Sequence, residues 1–311
     1  MQLNEKLLLI DFQNLATRMV FRVAAQADKS GDFIKPYDFR FETYLRKLWF
    51  NETLGYICKF MSELVNRHLT VMAVDSQNIW RKEIYKDYKN NRAKYRDKTG
   101  ERINWESAFE LYEEFIDLMR RTPAVLTLQV KLCEADDIIG ALILNNSETD
   151  NIIISTDSDF KQLADRATVY QDFENLQKNT RFTEEEANEF LVSKILLGDT
   201  SDTIPNVIRG VGEKTVAKFI QQEGVEQVVR FIIDKYKEKF PLCLHDYKRN
   251  RALIDLKRIP ETLQKQILAT YRMKKQDYNK DFEPIVKFAE ENGLNHFNQE
   301  LVCAKMRLMY G

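Results

Sequence analysis

Nine acidic residues fall where an open sheet would gather them. Asp11, Asp75 and Asp157 each close a continuous apolar run, in Lys6–Phe12 (KLLLIDF), Thr70–Asp75 (TVMAVD) and Asn151–Asp157 (NIIISTD). Asp159 follows two residues after Asp157. Glu134, Asp136 and Asp137 (CEADDIIGAL) come just after the strand-like Leu126–Lys131, and Asp199 and Asp202 form a further pair in GDTSD. Apolar runs of this kind predict strands buried on both faces, and such sheets place their sites at the carboxyl ends of the strands. Any one of these acids has an ordinary explanation as a helix cap, a partner for the helix dipole or a turn former. Nine on one rim, with few bases among them, would repel strongly unless cations neutralised them. Oxygen ligands without His or Cys suit Mg²⁺ or Mn²⁺ rather than zinc. A pair of such ions about 4 Å apart is an arrangement that hydrolyses phosphodiesters.

Two further stretches suit a phosphate-bearing substrate. Arg81–Arg102 holds nine basic and four acidic residues, interleaved with Tyr85, Tyr88 and Tyr95 and preceded by Trp80. A solvated charged helix is the usual meaning of such a run, but this one follows directly from Asp75. Beside a metal site it can hold a backbone and stack a base. Ile208–Ile220 (IRGVGEKTVAKFI) puts Gly210 and Gly212 at the head of a helix, with Lys214 and Thr215 following and apolar residues at helical spacing. That pattern exposes backbone N–H groups at a helix N-terminus, a phosphate site. Lys235–Lys275, with twelve basic and four acidic residues, is a further backbone track or a soluble surface.

The elements that position these residues follow from periodicity. Short apolar runs alternate with helix-length segments at Phe41–Asn66, Trp105–Arg121 and Ala135–Asn146, which predicts an α/β fold with a mainly parallel central sheet flanked by helices. After about Phe182 the pattern is helical. Thr183 and Glu186 form a capping box for a helix through Leu197, followed by Val211–Glu223, Val225–Phe240, Pro260–Tyr271 and Glu283–Asn292. The expected division is a catalytic domain over 1–180, with the basic segment at about 80–106, and a helical domain over 181–311 carrying the turn at 208–220.

Composition sets the outer limits. The 311 residues carry 47 Lys+Arg against 48 Asp+Glu, a formal net charge of −1, so only local charge can name a partner. Ten Gly, six Pro and 11% aromatic residues exclude collagen-like and disordered classes. Cys58, Cys133, Cys243 and Cys303 include no C-x-x-C pair, which argues against a zinc finger or disulfide framework and fits a reducing compartment. His68, His245 and His296 lie far apart, which argues against a His-rich metal site or a His-based triad. No apolar run approaches the roughly 20 residues of a membrane span, and no signal peptide pattern opens the chain. A cytoplasmic protein without a membrane partner is expected.

Together these residues resemble the 5′-nuclease superfamily: flap endonucleases, the 5′-nuclease domain of bacterial DNA polymerase I and phage 5′→3′ exonucleases, in particular the ribonuclease H type of T-even bacteriophages. The matching motifs are LLIDF around Asp11, AVDS around Asp75, YKNNR at Tyr88–Arg92, CEADD at Cys133–Asp137, STDSDF at Ser155–Phe160, GDTSD at Gly198–Asp202, and a helix–three-turn–helix at Gly210–Thr215. The resemblance implies a PIN-like catalytic domain. It implies one Mg²⁺ among Asp11, Asp75, Glu134 and Asp136 and a second among Asp157, Asp159, Asp199 and Asp202, with Asp157 near both and Asp137 grouped with them. Mn²⁺ should substitute. Lys89 and Arg92, joined by Arg81, would contact the scissile phosphate, and Tyr88 would stack on the terminal base. Gly210, Gly212, Lys214 and Thr215 would grip duplex backbone, with K⁺ held by the carbonyls of the turn. Val216 stands where the family usually has Ala, and Lys94–Glu106 is short for a full arch, so threading of a 5′ end is not implied.

The activity implied is metal-dependent 5′→3′ exonuclease or flap-endonuclease hydrolysis of RNA–DNA or DNA duplexes, removing RNA primers and 5′ flaps in replication. The host cytoplasm is the expected place if a phage encodes the chain. It implies a monomer with nucleic acid as partner, and a single-strand-binding or other replication protein as a second. Three alternatives are weaker. A PIN-type ribonuclease would lack the turn at Gly210, and a catalytically inactive structure-specific DNA-binding protein should have lost some of the acids. A nucleotide-binding dehydrogenase needs a G-x-G-x-x-G after the first strand, which is missing.

Overall fold

The computed structural model describes residues 2–64 and 68–294. Cys303 and His296 lie outside the described residues, as does the end of the helix expected over Phe41–Asn66. Strands β1 (Leu7–Asp11), β2 (Leu69–Val74), β3 (Leu126–Gln129), β4 (Asn151–Ile154), β5 (Ala167–Tyr170) and β6 (Asn179–Thr180) form one sheet in the order β3-β2-β1-β4-β5-β6. The first five are mutually parallel, and only β6 is antiparallel, at the edge. Helices α1 (Phe12–Ser30), α2 (Thr43–Glu63), α3 (Arg81–Ile84), α4 (Asn91–Thr99), α5 (Trp105–Arg120) and α6 (Ala135–Leu144) connect the strands. Then come α7 (Glu184–Leu197), α8 (Glu213–Glu223), α9 (Val225–Tyr236), α10 (Cys243–Ile254), α11 (Glu261–Lys275) and α12 (Glu283–Glu291). The capping box of Thr183 and Glu186 opens α7 as expected.

The alternation along β1 sets the layers. Leu8 and Ile10 face a core built with α1, α2 and α5, while Leu7 and Leu9 face the opposite core with α6. All four are fully buried. Removing each from water contributes about 1.5–3 kcal/mol. A one-residue slip would exchange the two faces, so the register that puts Asp11 at the strand end is firmly held. After β3 the chain crosses over α6 to the far side of β1. The strand order therefore reverses between β1 and β4, the position where open α/β sheets form a crevice at their carboxyl ends.

The helical part departs from the expected boundary. Helices α7 to α10 build their own apolar clusters, around Val216, Phe219, Val228 and Ile232 and around Leu191, Ile195 and Leu253. The last two helices do not stay with them. Leu263, Ile267, Leu268 and Tyr271 of α11 pack in the same core as α6, and Phe282, Ile285 and Ala289 join the core of α1, α2 and α5. Gly140 on α6 lets Leu256 approach so closely that an added Cβ would meet Leu256 Cβ at 3.2 Å. Residues 256–294 thus complete the α/β core instead of extending a separate domain, because their apolar stripes match bare faces of the sheet layers.

Candidate metal and phosphate site

Each strand end delivers its acid through a different local device. Asp11 caps α1, accepting from the Asn14 amide at 3.2 Å, and its second oxygen accepts from Ser155 Oγ at 2.8 Å. Asp75 accepts from the Ala135 amide at 2.7 Å, which joins the end of β2 to the first turn of α6. Asp157 accepts from the Asp159 amide at 2.9 Å. Asp136, in the first turn of α6, sits in the favourable end of that helix's dipole and makes no hydrogen bond or ion pair with any described residue. Asp11, Asp75, Asp136 and Asp157 line one cleft of about 520 Å³ together with Lys89 and Arg92.

The other acids are held by bases. Glu134 takes an ion pair from Arg81 at 2.9 Å, a second from Lys89, and a hydrogen bond from the Tyr88 hydroxyl at 3.2 Å. Asp202 accepts from the same Tyr88 hydroxyl at 3.2 Å and from Arg92 at 3.2 Å. Lys194 bridges Asp159 and Asp199, the latter at 3.0 Å. Asp199 also accepts from the Ser201 amide and hydroxyl at 2.7 and 2.6 Å. Gly198, at φ +70°, makes this turn: a Cβ there would lie 2.4 Å from the Ile204 carbonyl oxygen.

Electrostatics divide the same way. Burial, and then repulsion from Asp75, pushes the Asp11 carboxyl up to about 7, against the hydrogen bonds from Ser155 and Asn14. Burial also raises Asp75, Asp136 and Asp157, with neighbouring carboxylates adding to the effect and Lys89 opposing it. Glu134 goes the other way. Burial opposes its charge, but Lys89 and Arg81 outweigh it and hold the group at about 2. Burial likewise opposes the charge of Asp199, and Ser201 and Lys194 keep it below the ordinary range.

Three expectations are corrected. Tyr88 is 2% exposed and its hydroxyl is committed to Glu134 and Asp202, so the ring offers no face for a terminal base. Arg81 is 2% exposed. It reaches Glu134, Asp137 at 2.8 Å and the Leu253 carbonyl at 2.8 Å, and so props the acids instead of meeting a phosphate. Asp137 faces away from the cleft: besides Arg81, it accepts from Trp80 Nε1 at 3.0 Å and from the Glu134 amide at 2.9 Å.

The basic segment is clamped onto the loop after α7. Lys89 takes φ +58° and Thr203 takes φ +63°, a conformation uncommon for residues other than glycine. The Lys89 amide donates to the Asp202 carbonyl at 2.9 Å and Asn91 Nδ2 to the Thr200 carbonyl at 2.7 Å. Lys194 was not singled out in the sequence. Its only signal there is a position five residues before Asp199, at the end of a helix whose register the sequence leaves open. Arg18, Phe21, Trp105 and Phe109, which also line the cleft, gave no signal beyond ordinary core pattern.

The turn at Gly210 lies close by. Gly210 has φ +85° and Gly212 opens α8, which starts at Glu213 rather than at Val211. Gly212 and Lys214 are exposed and Thr215 is half-buried. The first amides of α8 have no carbonyl four residues back to bond. A second cavity of about 710 Å³ runs from Asp157, Lys194 and Asp199 to Glu213 and Ala217 at the start of α8, so Asp157 belongs to both cavities.

Among the described residues, no three acidic, His or Cys side chains stand close enough to ligate one ion as they are placed. Lys89 and Lys194 are interposed instead. The donor chemistry still fits divalent cations, because four oxygen-only carboxylates share a cleft in which burial and mutual repulsion disfavour their charge.

A family model described as 5′-3′ exonuclease, N-terminal resolvase-like domain, matches residues 6–192. The chain belongs to the 5′-3′ exonuclease family. DNA polymerase I of Streptococcus pneumoniae is 31% identical over 248 residues, which cover 75% of this chain and 26% of the polymerase. Ribonuclease H of Enterobacteria phage T4 is 28% identical over 216 residues, 65% of this chain and 68% of that protein. This 5′-3′ exonuclease family chain thus spans about a quarter of the length of the polymerase it matches. Among solved structures it is similar to the bacteriophage T5 flap endonuclease in a pseudo-enzyme-product complex with DNA and metal ions. That match has a TM-score of 0.60 and 20% identity over 87% of this chain and 100% of that one. It is also similar to T5 5′-exonuclease with zinc bound, with a TM-score of 0.58 and 20% identity over 96% of this chain and 99% of that one. At such identity the likeness establishes a common fold. Among the described residues, no helix is long and apolar enough to cross a membrane.

Proposed function

We propose that the protein is a divalent-metal-dependent 5′ nuclease that hydrolyses phosphodiesters at the 5′ ends or flaps of DNA and RNA–DNA duplexes during replication. The observation that carries this reading is the single cleft in which Asp11, Asp75, Asp136 and Asp157 face Lys89 and Arg92. The family's names and the DNA and metal ions in the T5 complex support it. Asp11, Asp75 and Asp136 would hold one Mg²⁺ with Glu134 beside them, and Asp157, Asp159, Asp199 and Asp202 the second. Mn²⁺ has the same oxygen preference. When bound, the ions supply an activated water and charge stabilisation for the leaving 3′-oxygen.

The chain's own groups do the rest. Lys89 and Arg92 exchange their carboxylate partners for the phosphate and stabilise the charge that builds on it during attack. Arg81 and Tyr88 keep Glu134 and Asp202 in place while that exchange occurs. Lys214 and the first amides of α8 hold duplex backbone at the far end of the second cavity, where K⁺ would sit on the carbonyls of the turn. The products are a 5′-phosphate and a 3′-hydroxyl.

The test is cleavage of a labelled 5′-flap duplex and a nicked RNA–DNA hybrid in Mg²⁺ and again in EDTA. Release of product from the 5′ end in Mg²⁺ alone is the expected result. Binding of both substrates without cleavage would instead make the protein a catalytically inactive, structure-specific DNA-binding protein.

A further inference from the structure

The sheet has a seam between β1 and β4, and the cleft carboxylates stand on both sides of it. Asp11 still pairs with Ala73 of β2, and the Ser155 amide still donates to the Tyr170 carbonyl of β5 at 3.2 Å. Between β1 and β4 the paired residues end at Ile10 and Ile154. One position further on, Asp11 becomes the cap of α1, while the chain leaving β4 runs through Ser155 and Thr156 to Asp157. Backbone pairing therefore ties Asp11 to the strand of Asp75 and ties the start of the Asp157 loop to β5. Past Ile10 and Ile154 it no longer ties these two groups to each other.

Side chains close the seam. Ser155 is fully buried; its Oγ donates to Asp11 Oδ2 at 2.8 Å and accepts from the Asp157 amide at 3.1 Å. A hydroxyl has a single proton, and since the amide N–H already points at the oxygen, that proton goes to the carboxylate. Beside it, Asn14 Oδ1 accepts from the Thr156 amide and the Thr156 hydroxyl, each at 3.0 Å, while the Asn14 amide donates to Asp11 Oδ1. Residues 155 and 156 are thus both bonded to the start of α1, and Asp157 is bonded to Ser155. One partner is enough to satisfy a buried hydroxyl. Ser155 has two, and they belong to different acids of the same cleft.

We propose that Ser155 is a positioning residue that holds Asp11 and Asp157 at a working separation across the seam, with Asn14 and Thr156 as its support. The inference rests on the nuclease reading and deepens it. A carboxylate held by a further hydrogen bond keeps its orientation toward a cation. Because Asp157 belongs to both cavities, freeing it from Ser155 would disturb both proposed ion positions together. A serine that merely filled space could be exchanged for any residue of its size, and this one cannot be if the bridge is its role.

The test reads cation binding apart from cleavage. Mn²⁺ is titrated calorimetrically into the metal-free protein without nucleic acid, and cutting of a 5′-flap duplex is followed in a single turnover with Mg²⁺. Ser155→Ala should weaken Mn²⁺ binding and slow cutting by about 10–100-fold. Its affinity for the flap duplex in EDTA should be unchanged, because that affinity rests on basic groups. Ser155→Cys, close in size but a weak donor, should behave like Ser155→Ala, whereas Ser155→Thr should recover most of both losses. Thermal melts in EDTA check that each variant is folded. Should Ser155→Ala not fold, Ser155→Cys and Thr156→Val, which removes one of the two bonds to Asn14, carry the same comparison. Wild-type Mn²⁺ affinity and cutting in folded Ser155→Cys would overturn the proposal, as would losses in Ser155→Thr as large as those in Ser155→Cys. If the wild-type protein binds Mn²⁺ and the variants bind it more weakly, but none cuts the duplex, the bridge stands and the nuclease reading fails. A wild-type protein that binds no Mn²⁺ would remove both.

Discussion

The two halves of the carboxylate site are built on opposite principles. Asp11, Asp75 and Asp136 are positioned by strand ends and by the start of α6, with backbone amides and one serine as donors, and buried negative charges face one another. Glu134, Asp159, Asp199 and Asp202 are positioned by Lys89, Arg81, Arg92 and Lys194, so their charge is already balanced. The first half needs a cation to be stable in its ionised form. The second half has protein cations that must be released before it can hold anything else. Under the proposed function this difference would give the halves different work: the first would take a cation directly, and the second would be assembled when substrate draws its bases away.

The comparison breaks most sharply at the acid shared by both cavities. Asp157→Asn should lower turnover by about 10³-fold or more while leaving DNA affinity largely intact, since affinity rests on basic phosphate contacts. Near-normal cutting by that variant would remove Asp157 from the site. Lys89→Ala comes next. Loss of one charge-stabilising donor at a reacting phosphate typically lowers kcat about 10²–10³-fold, and single-turnover kinetics with saturating protein would isolate the step. An effect confined to KM would leave Lys89 as a binding group only.

Acidity sharpens the contrast between the halves. Because the Asp11 carboxyl lies near 7 in the folded protein against an ordinary 3.8, the folded state binds the extra proton. Stability of the metal-free protein should therefore fall as pH rises from about 4 through 7. Glu134 has the opposite sign: held at about 2, it contributes stability that is present above 4.5 and lost as pH falls toward 2. Thermal melts in EDTA should thus show Asp11→Asn more stable than wild type at pH 8 and no better at pH 4. If instead Asp11→Asn melts lower at pH 8, repulsion in the first half is not what shapes the site. A bound divalent ion should reverse the wild-type trend. The smallest effect is expected at the turn, where Lys214→Ala should reduce the slope of log affinity against log salt by about one. An unchanged slope would make the turn purely structural.

Much of the first half was legible in the sequence, and little of the second half's wiring was. An acid that ends an apolar run has its place fixed by the strand, so Asp11 and Asp75 could be located without coordinates. The partners of long side chains cannot be read in this way. Tyr88 sits in a motif of basic residues, yet its ring turns inward because two carboxylates accept its hydroxyl. Arg81 and Asp137 pair across 56 positions of sequence, which no local pattern encodes. The return of α11 and α12 to the sheet was missed for a related reason. An amphipathic helix shows that it has an apolar face, but not which layer that face will cover.

That return links the order of synthesis to the appearance of the site. The strand that carries Asp11 leaves the ribosome well before α11, the helix that covers α6 and its neighbours on one side of the sheet. Arg81 likewise waits for the Leu253 carbonyl before its guanidinium is fully held. A chain cut short before residue 256 would leave a large apolar layer open to chaperones and proteases, and its acids poorly fixed. The protein acquires its stability and its chemistry together, once residues 256–294 have been made.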